Sequence, residues 1–433
     1  MNINSFSRRS FFSRRSFLSA SAAGLGLMAQ GVAPGRVLGA NQRVRIGMIG
    51  LGGRGSDLFR MVLRRAGDQN DVEVAALCDV YRKRLNAAAE HALEAKTYLR
   101  HQELLERKDL DAVFIATPDH WHAPITLAAM QTGKDVYCEK PMTLHWEDAK
   151  VVARQAREKN RVLQIGVQAL SWSKWHKVKE IVDQDMLGKI VICQGTYSRN
   201  APGGDWQYTI DPAAGPQGKD EDFIDWEQWL GSAPPRPFDP DRFFRFRKYW
   251  DYSGGIATDL HYHTVAPFHL AVRNDHPTRV AGLGGIWRHK DGREVPDTFL
   301  TAADYPGEYS LHVPSSQANA HGIQTLIRGE KATLYCGADW EGETYGVLRV
   351  VPEEPFQDEF VKKWGVKEYI VPNIQDEGDQ KHVDNFIECI HSRKPPNCHA
   401  DLAYKVMTTI DLSVRSYRDG KMYHFDAKKE QVL

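Results

Sequence analysis

The sequence predicts an α/β chain, with an N-terminal doubly wound parallel sheet followed by an α+β domain built on an open, mostly antiparallel sheet. Three observations carry this expectation. The apolar run Val44 to Ile49 ends in Gly50-x-Gly52-x-x-Gly55, and an amphipathic stretch through Leu58, Phe59, Val62 and Leu63 follows. Strand-like and helix-like segments then alternate up to about Gln168. From about Ser171 the chain turns to longer polar-aromatic loops and alternating runs such as Phe299 to Ala303 and Tyr309 to Val313.

Residues 1–40 read as a leader outside the fold. Arg8-Arg9 and Arg14-Arg15 form a basic head before a mild Ala/Gly/Leu segment from Ala20 to Ala29. That segment is short of the roughly 20 residues a bilayer span needs. Ser13-Arg14-Arg15-Ser16-Phe17-Leu18 resembles a twin-arginine export signal, which implies a periplasmic or extracellular protein delivered already folded. The expected domains are 41–170, binding a dinucleotide, and 171–433, binding substrate and mediating assembly.

Strand, tight turn and helix over 44–63 form a Rossmann-type fingerprint. Gly50 permits the turn, Gly52 allows a pyrophosphate to touch the backbone, and Gly55 lets helix pack on strand; Gly53 and Arg54 complete the cofactor-binding turn. A second apolar run, Val72 to Cys78, ends in Asp79, which stands 24 positions beyond Gly55, near the spacing at which an acid reaches the adenosine ribose. The competing reading of Asp79 is a helix cap before Arg82. A carboxylate there repels a 2′-phosphate, so NAD is the expected cofactor, with NADP possible because Arg82 and Lys83 follow closely.

The remaining elements of this domain are a helix over Tyr81 to Leu93, a strand over Ala112 to Ala116 and a helix over Ala123 to Gln131. A strand over Val136 to Glu139, a helix over Trp146 to Glu158 and a strand over Val162 to Val167 complete it. Two strand ends carry polar residues, Thr117-Pro118-Asp119-His120-Trp121-His122 and Glu139-Lys140-Pro141. The second resembles the Glu-Lys-Pro signature of the glucose-fructose oxidoreductase and inositol dehydrogenase family (Gfo/Idh/MocA), and the resemblance extends over the chain after the leader. It implies that Lys140 reaches the reacting hydroxyl and the nicotinamide ribose, that the Lys140-Pro141 bond is often cis, and that Thr117, His122 and Glu139 help seat the cofactor. A partly desolvated ammonium beside an oxidised nicotinamide is suited to acid-base work. His120 reads equally well as a packing or capping residue.

In the second domain, Lys174 to Asp185 reads as a linking helix and Ile190 to Arg199 as a strand. The candidate substrate-binding residues are Tyr197, Arg199, Trp206, Trp250 and Tyr252. The run Arg242 to Trp250 mixes cations and rings; it suits sugar stacking, or else forms a domain wall with its arginines solvated. Asp259 and His263 are four apart, on one face of a helix expected to begin near Thr258. The family resemblance implies that this pair lies over the nicotinamide, with His263 moving the hydroxyl proton. His261, two places away, points elsewhere and reads as packing. The open sheet, with Ile323 to Arg328 and Ala332 to Cys336 among its strands, is expected to pair with another subunit, giving a homo-oligomer. Val383 to Ile390 and Leu402 to Tyr417 are core-type helices.

Composition narrows the function. Lysine plus arginine equals aspartate plus glutamate at 56 each, which gives no support to a nucleic-acid surface. The six cysteines, Cys78, Cys138, Cys193, Cys336, Cys389 and Cys398, read as core residues, although an exported chain could bridge Cys389 to Cys398. No histidine pair has metal-ligand spacing. An NAD(P)-dependent oxidoreductase of a sugar, cyclitol or related polyol is therefore expected. The alternatives are an NAD-dependent glycosidase working by transient oxidation and a non-catalytic dinucleotide- or sugar-binding protein. Free NAD is scarce outside the cytoplasm, so the cofactor is expected to stay bound through the cycle.

Overall fold

Six strands form the first sheet: β1 (Val44–Ile49), β2 (Val72–Cys78), β3 (Lys96–Tyr98), β4 (Ala112–Ile115), β5 (Asp135–Glu139) and β6 (Leu163–Gly166). All pairs are parallel, in the order β3-β2-β1-β4-β5-β6. The order reverses between β1 and β4, so a crevice opens beyond their C-terminal ends. Helices α1 (Gly53–Gln69), α2 (Arg82–Ala89), α3 (His101–Leu105), α4 (Asp119–Gln131) and α5 (Trp146–Glu158) make the crossovers. This computed structural model describes residues 43–337, 347–372, 374 and 377–433; the predicted leader lies outside them.

Burial follows the sequence pattern. Val44, Ile46, Met48 and Ile49 of β1 are all but inaccessible, as are Leu58, Phe59 and Val62 on the facing side of α1. At Gly55 an added Cβ would stand 2.0 Å from the Gly50 carbonyl oxygen, so only glycine lets α1 lie this close to the turn. Gly50 has φ +86°, a left-handed conformation that disfavours any side chain. Helix α4 begins at Asp119, four residues ahead of the expected Ala123; its first-turn carboxylate complements the unpaired N–H groups there.

The second sheet has ten strands. In chain order they are β7 (Ile190–Gln194), β8 (Arg279–Gly285), β9 (Thr298–Tyr305), β10 (Tyr309–Ser316), β11 (Leu326–Gly329), β12 (Ala332–Tyr335), β13 (Leu348–Pro352), β14 (Tyr369–Val371), β15 (Tyr423–Asp426) and β16 (Gln431–Val432). They lie in the order β14-β13-β12-β11-β7-β10-β9-β8-β15-β16, and only β7 and β10 run parallel among these pairs. The helices around this sheet and its loops are α6 (Ser173–Asp183), α7 (Trp226–Leu230), α8 (Pro240–Phe244), α9 (Tyr262–Ala271), α10 (Gln357–Trp364), α11 (Gln380–Ser392) and α12 (Ala400–Asp419).

Along β9, Phe299, Thr301, Ala303 and Tyr305 are buried on one face, where Thr301 and Tyr305 hydrogen-bond Ser413 and Thr409 of α12. Gly282 makes that approach possible, since a Cβ would come within 2.0 Å of the Ser413 carbonyl oxygen. The other face is open, with Leu283 63% exposed. Helix α11 instead returns to the first sheet: Val383, Phe386 and Ile387 share a cluster with Val44, Ile46 and Phe114. This return brings Asp379 beside the glycine turn. All six cysteines are buried free thiols, so the conceivable Cys389 to Cys398 bridge is not formed.

Candidate active site

A cavity of about 680 Å³ opens beyond the C-terminal ends of β1, β4 and β5. Its floor is the first sheet's glycine turn, and its roof comes from residues between 197 and 263. Gly50, Gly52, Gly53 and Arg54 line it together with Asp79, Thr117, Glu139 and Lys140. Asp79 accepts the Leu51 N–H at 2.6 Å and the Tyr81 N–H at 2.8 Å, so the carboxylate fixes the turn while facing the cavity. Arg54 binds Glu139 at 2.8 Å and Asp379 at 2.8 Å.

These residues fit a dinucleotide. A Cβ on Gly53 would meet nothing within 4 Å, and one on Gly52 would meet only the tip of Arg84, so the backbone of the turn is open to a close-lying pyrophosphate. The Thr117 hydroxyl lines the same cavity, buried, with no hydrogen-bond partner among the described residues. Such a group is satisfied when a polar ligand fills the space.

Opposite the glycine turn, the Lys140-Pro141 bond is cis. Lys140 Nζ donates to Asp259 Oδ1 at 2.5 Å and to the Asp259 carbonyl oxygen at 3.0 Å. The Asp259 carboxylate also accepts from Arg247 Nε at 3.0 Å and from Trp206 Nε1 at 2.8 Å. Burial by itself would raise this carboxyl's pKa, but Lys140 and Arg247 outweigh it and hold the group well below the usual carboxylate range.

Asp259 sits in a π-helical turn, Ala257–His261, that leads into α9, where the sequence predicted an ordinary α-helix. Gly255, with φ +63°, sets the turn's entry, and its Cβ would stand 2.8 Å from Val295. Pro267 in α9 has no N–H to give to His263, the residue four places before it, which leaves the helix slack at this point. Asp259 and His263 both reach the cavity. The His263 ring meets Tyr197 edge to face, 5.8 Å between centroids. Burial, reinforced by the Lys140 ammonium, holds the His263 pKa well below the ordinary imidazole value, leaving a neutral ring at neutral pH. His261 points away, bonding Thr301 at 2.9 Å, and burial lowers its pKa to about 3.

Several residues singled out from the sequence do not line the cavity. His122 is buried between two carbonyls, Pro141 O at 2.6 Å and Thr117 O at 2.9 Å, so it clamps the two strand-end loops together and touches no ligand space. Gly55 lies beneath the turn, and Trp206 donates to Asp259 from outside the cavity lining. Trp250 packs on Tyr417 under the Arg418 guanidinium, and Tyr252 is buried among Trp229 and His120. Neither lines the cavity. Tyr197 and Arg199 do line the cavity. His120 packs in the same aromatic group, bonding Trp229 O at 3.1 Å.

Both ring nitrogens of His122 face oxygen acceptors, which a neutral imidazole with one N–H cannot satisfy. Burial disfavours the charged ring, but Cys138, Asp119 and the Pro141 carbonyl outweigh it and raise the pKa to about 9. A pKa raised by folding stabilises fully below the unfolded value of about 6.5 and loses that contribution as pH rises through 9. Urea midpoints are therefore expected to fall between pH 6.5 and 9.5 by an amount equivalent to roughly 3 kcal/mol. His122→Gln should flatten this fall; an identical slope in the variant would contradict it.

The sequence reading missed Asp119, Arg247 and an aromatic roof of Trp229, Phe243, Phe244 and Phe246, with Trp121 of α4 lining the cavity beside it. Asp119 is buried, accepts from Thr258 Oγ1 at 3.0 Å, and has a pKa raised by that burial. The run Arg242 to Trp250 is not a solvated wall: Arg242 pairs with Glu294, Arg245 and Lys248 with Asp241, and Arg247 with Asp259. The roof is tied to the end of β2. Asp211 accepts from Tyr81 Oη at 2.8 Å and Lys83 Nζ at 2.9 Å, Asp225 N donates to Val80 O at 2.9 Å, and Arg84 lies 5.2 Å over the Phe243 ring.

Three family descriptions match the chain: the oxidoreductase family's NAD-binding Rossmann fold over residues 44–167, and two forms of its C-terminal alpha/beta domain over 173–284 and 233–425. Inositol 2-dehydrogenase of Salmonella typhimurium is 31% identical over 156 residues, 36% of this chain and 46% of that protein. A glycosyl hydrolase family 109 protein of Stenotrophomonas maltophilia is 40% identical over 153 residues, 32% of each chain. The chain thus spans less than half the length of these curated relatives. The WlbA dehydrogenase of Bordetella pertussis, solved with NADH and UDP-GlcNAcA, shares the fold with a TM-score of 0.63 at 19% identity, over 89% of this chain and 99% of that one.

Proposed function

The chain belongs to the Gfo/Idh/MocA family of oxidoreductases, and from that premise we propose that it transfers hydride between a retained NAD and a hydroxyl or carbonyl of a sugar, cyclitol or related polyol. One observation carries the reading: Lys140, Asp259 and His263 converge on the same cavity as the glycine turn and Asp79. Residues 41–170 would bind the dinucleotide and 171–433 the substrate. The cofactor, when bound, supplies the hydride acceptor and donor. Around it, Gly50, Gly52, Gly53, Arg54, Asp79, Thr117 and Glu139 form the seat. His263, neutral, takes the hydroxyl proton, and Lys140, anchored on Asp259, orients the reacting oxygen.

A second reading, cleavage of a glycoside by transient oxidation and elimination, is favoured by the identity to the family 109 glycosyl hydrolase. Incubating the cofactor-loaded protein with free sugars, polyols and glycosides separates the two. An oxidised or reduced product supports the oxidoreductase. A released sugar with no net redox change supports the glycosidase, and no reaction with any of them rules out both.

Retention of the cofactor is supported by the roof tied across the end of β2. Asp211→Ala removes the acceptor of both Tyr81 and Lys83 and is expected to speed release of bound NAD about threefold to tenfold. Chasing labelled NAD from the protein measures this, and an unchanged rate would mean that the strap does not hold the cofactor.

We also propose export through the twin-arginine route, on the strength of Arg14-Arg15 in its motif; an Arg14→Lys, Arg15→Lys double variant should then remain in the cytoplasm. Pairing of the open sheet faces into a homo-oligomer is supported by exposed Leu283 beside Leu300 and Pro314 on successive strands. Light scattering should show an oligomer that Leu283→Glu dissociates.

A further inference from the structure

Three cations gather at the reacting end of the cavity. Lys140, Arg199 and Arg247 line it against Asp259 and Asp119. Two of the cations, Lys140 and Arg247, are spent on the single Asp259 carboxylate. Arg199 is not. Its Nη2 donates to Tyr197 Oη at 2.6 Å, and among the described residues no carboxylate stands within salt-bridge distance of it. The one other acid of that neighbourhood, Asp205, has an oxygen buried without a partner rather than turned onto this guanidinium.

Arg199 is also held in place. Its guanidinium carbon lies 4.6 Å from the Tyr197 ring centre, and that ring also meets His263. The fork and the histidine thus contact one and the same aromatic ring at the cavity wall. A half-buried guanidinium whose nearby acids, Asp259 and Asp205, stand beyond contact distance keeps N–H groups for a ligand, and their parallel fork matches a carboxylate in two-point contact. A neutral hydroxyl offers that fork one acceptor where a carboxylate offers two.

Resting on the oxidoreductase reading of this site, we propose that Arg199 recognises a carboxylate on the substrate, so that the preferred substrates are acidic sugars, uronates or aldonates, rather than neutral ones. The test pairs glucose with glucuronate and gluconate, and galactose with galacturonate, using the cofactor-loaded protein. In turnover, kcat/KM for the best acidic sugar should exceed that of its neutral counterpart by roughly 10- to 100-fold. The ratio should collapse toward unity in Arg199→Gln and be partly kept in Arg199→Lys. Calorimetric titration with the same compounds reads binding alone, so it still decides the matter if no sugar is turned over, an outcome that would count against the oxidoreductase reading instead. Equal affinity of the wild-type protein for acidic and neutral sugars would overturn the proposal. So would an Arg199→Gln variant that lowers both by the same factor. Should Arg199→Gln fail to fold, as its melting curve would show, the wild-type comparison stands by itself.

Discussion

His263→Ala is expected to lower kcat by about 10²- to 10⁴-fold while leaving the melting temperature and bound NAD unchanged, the effect of removing a positioned general base. Lys140→Met should act on the same step. The ring's low pKa gives the loss a pH signature: the wild-type enzyme should keep its kcat/KM well below pH 6.5, because His263 stays unprotonated there. Full activity in His263→Ala would remove the residue from the chemistry. His261 would not replace it, being bonded to Thr301 and turned away from the cavity.

Asp259→Ala should do more damage, to stability as well as to rate. The carboxylate accepts from Lys140, Arg247 and Trp206, so its removal leaves two partly buried cations and an indole N–H facing one another. Breaking a buried pair in this way costs about 3–5 kcal/mol. Because folding lowers the Asp259 pKa, its contribution is present above the unfolded carboxyl value near 4 and is lost as pH falls toward the folded one. Urea unfolding at pH 7 and pH 3 measures both effects: the gap between wild type and Asp259→Ala should be wide at pH 7 and about 1 kcal/mol smaller at pH 3, closing further only as pH falls toward the folded value. A gap of equal size at both would contradict the electrostatic account.

What the sequence made legible was whatever depends on neighbours along the chain. The strands Val44–Ile49 and Val72–Cys78 and the helix Trp146–Glu158 fall where apolar period and turn glycines put them. Gly50 and Gly55 could be read because each answers a local backbone demand, and the cis Lys140-Pro141 bond because the Glu139-Lys140-Pro141 stretch resembles the family's signature. Distant packing was opaque. Nothing near Arg247 in sequence announces that it would pair with Asp259 rather than with solvent. Trp250 and Tyr252 stand just before Asp259 in sequence yet do not line the cavity, since aromatic composition does not say which face a loop buries. The π-turn at Ala257–His261 was likewise invisible, being set by Gly255, Pro267 and the contacts around them. The strand Lys96–Tyr98 is too short for any period to show.

The central claim is that hydride passes between a sugar or polyol carbon and an NAD that stays on the protein. It is tested most directly by mixing the cofactor-loaded enzyme with carbon-deuterated sugars, cyclitols and polyols, with no free NAD, then denaturing it and weighing the released cofactor. The account predicts deuterium on the nicotinamide in wild type and none in His263→Ala. Cofactor that stays oxidised and unlabelled with every substrate, or that acquires label only when excess free NAD is supplied, would contradict it.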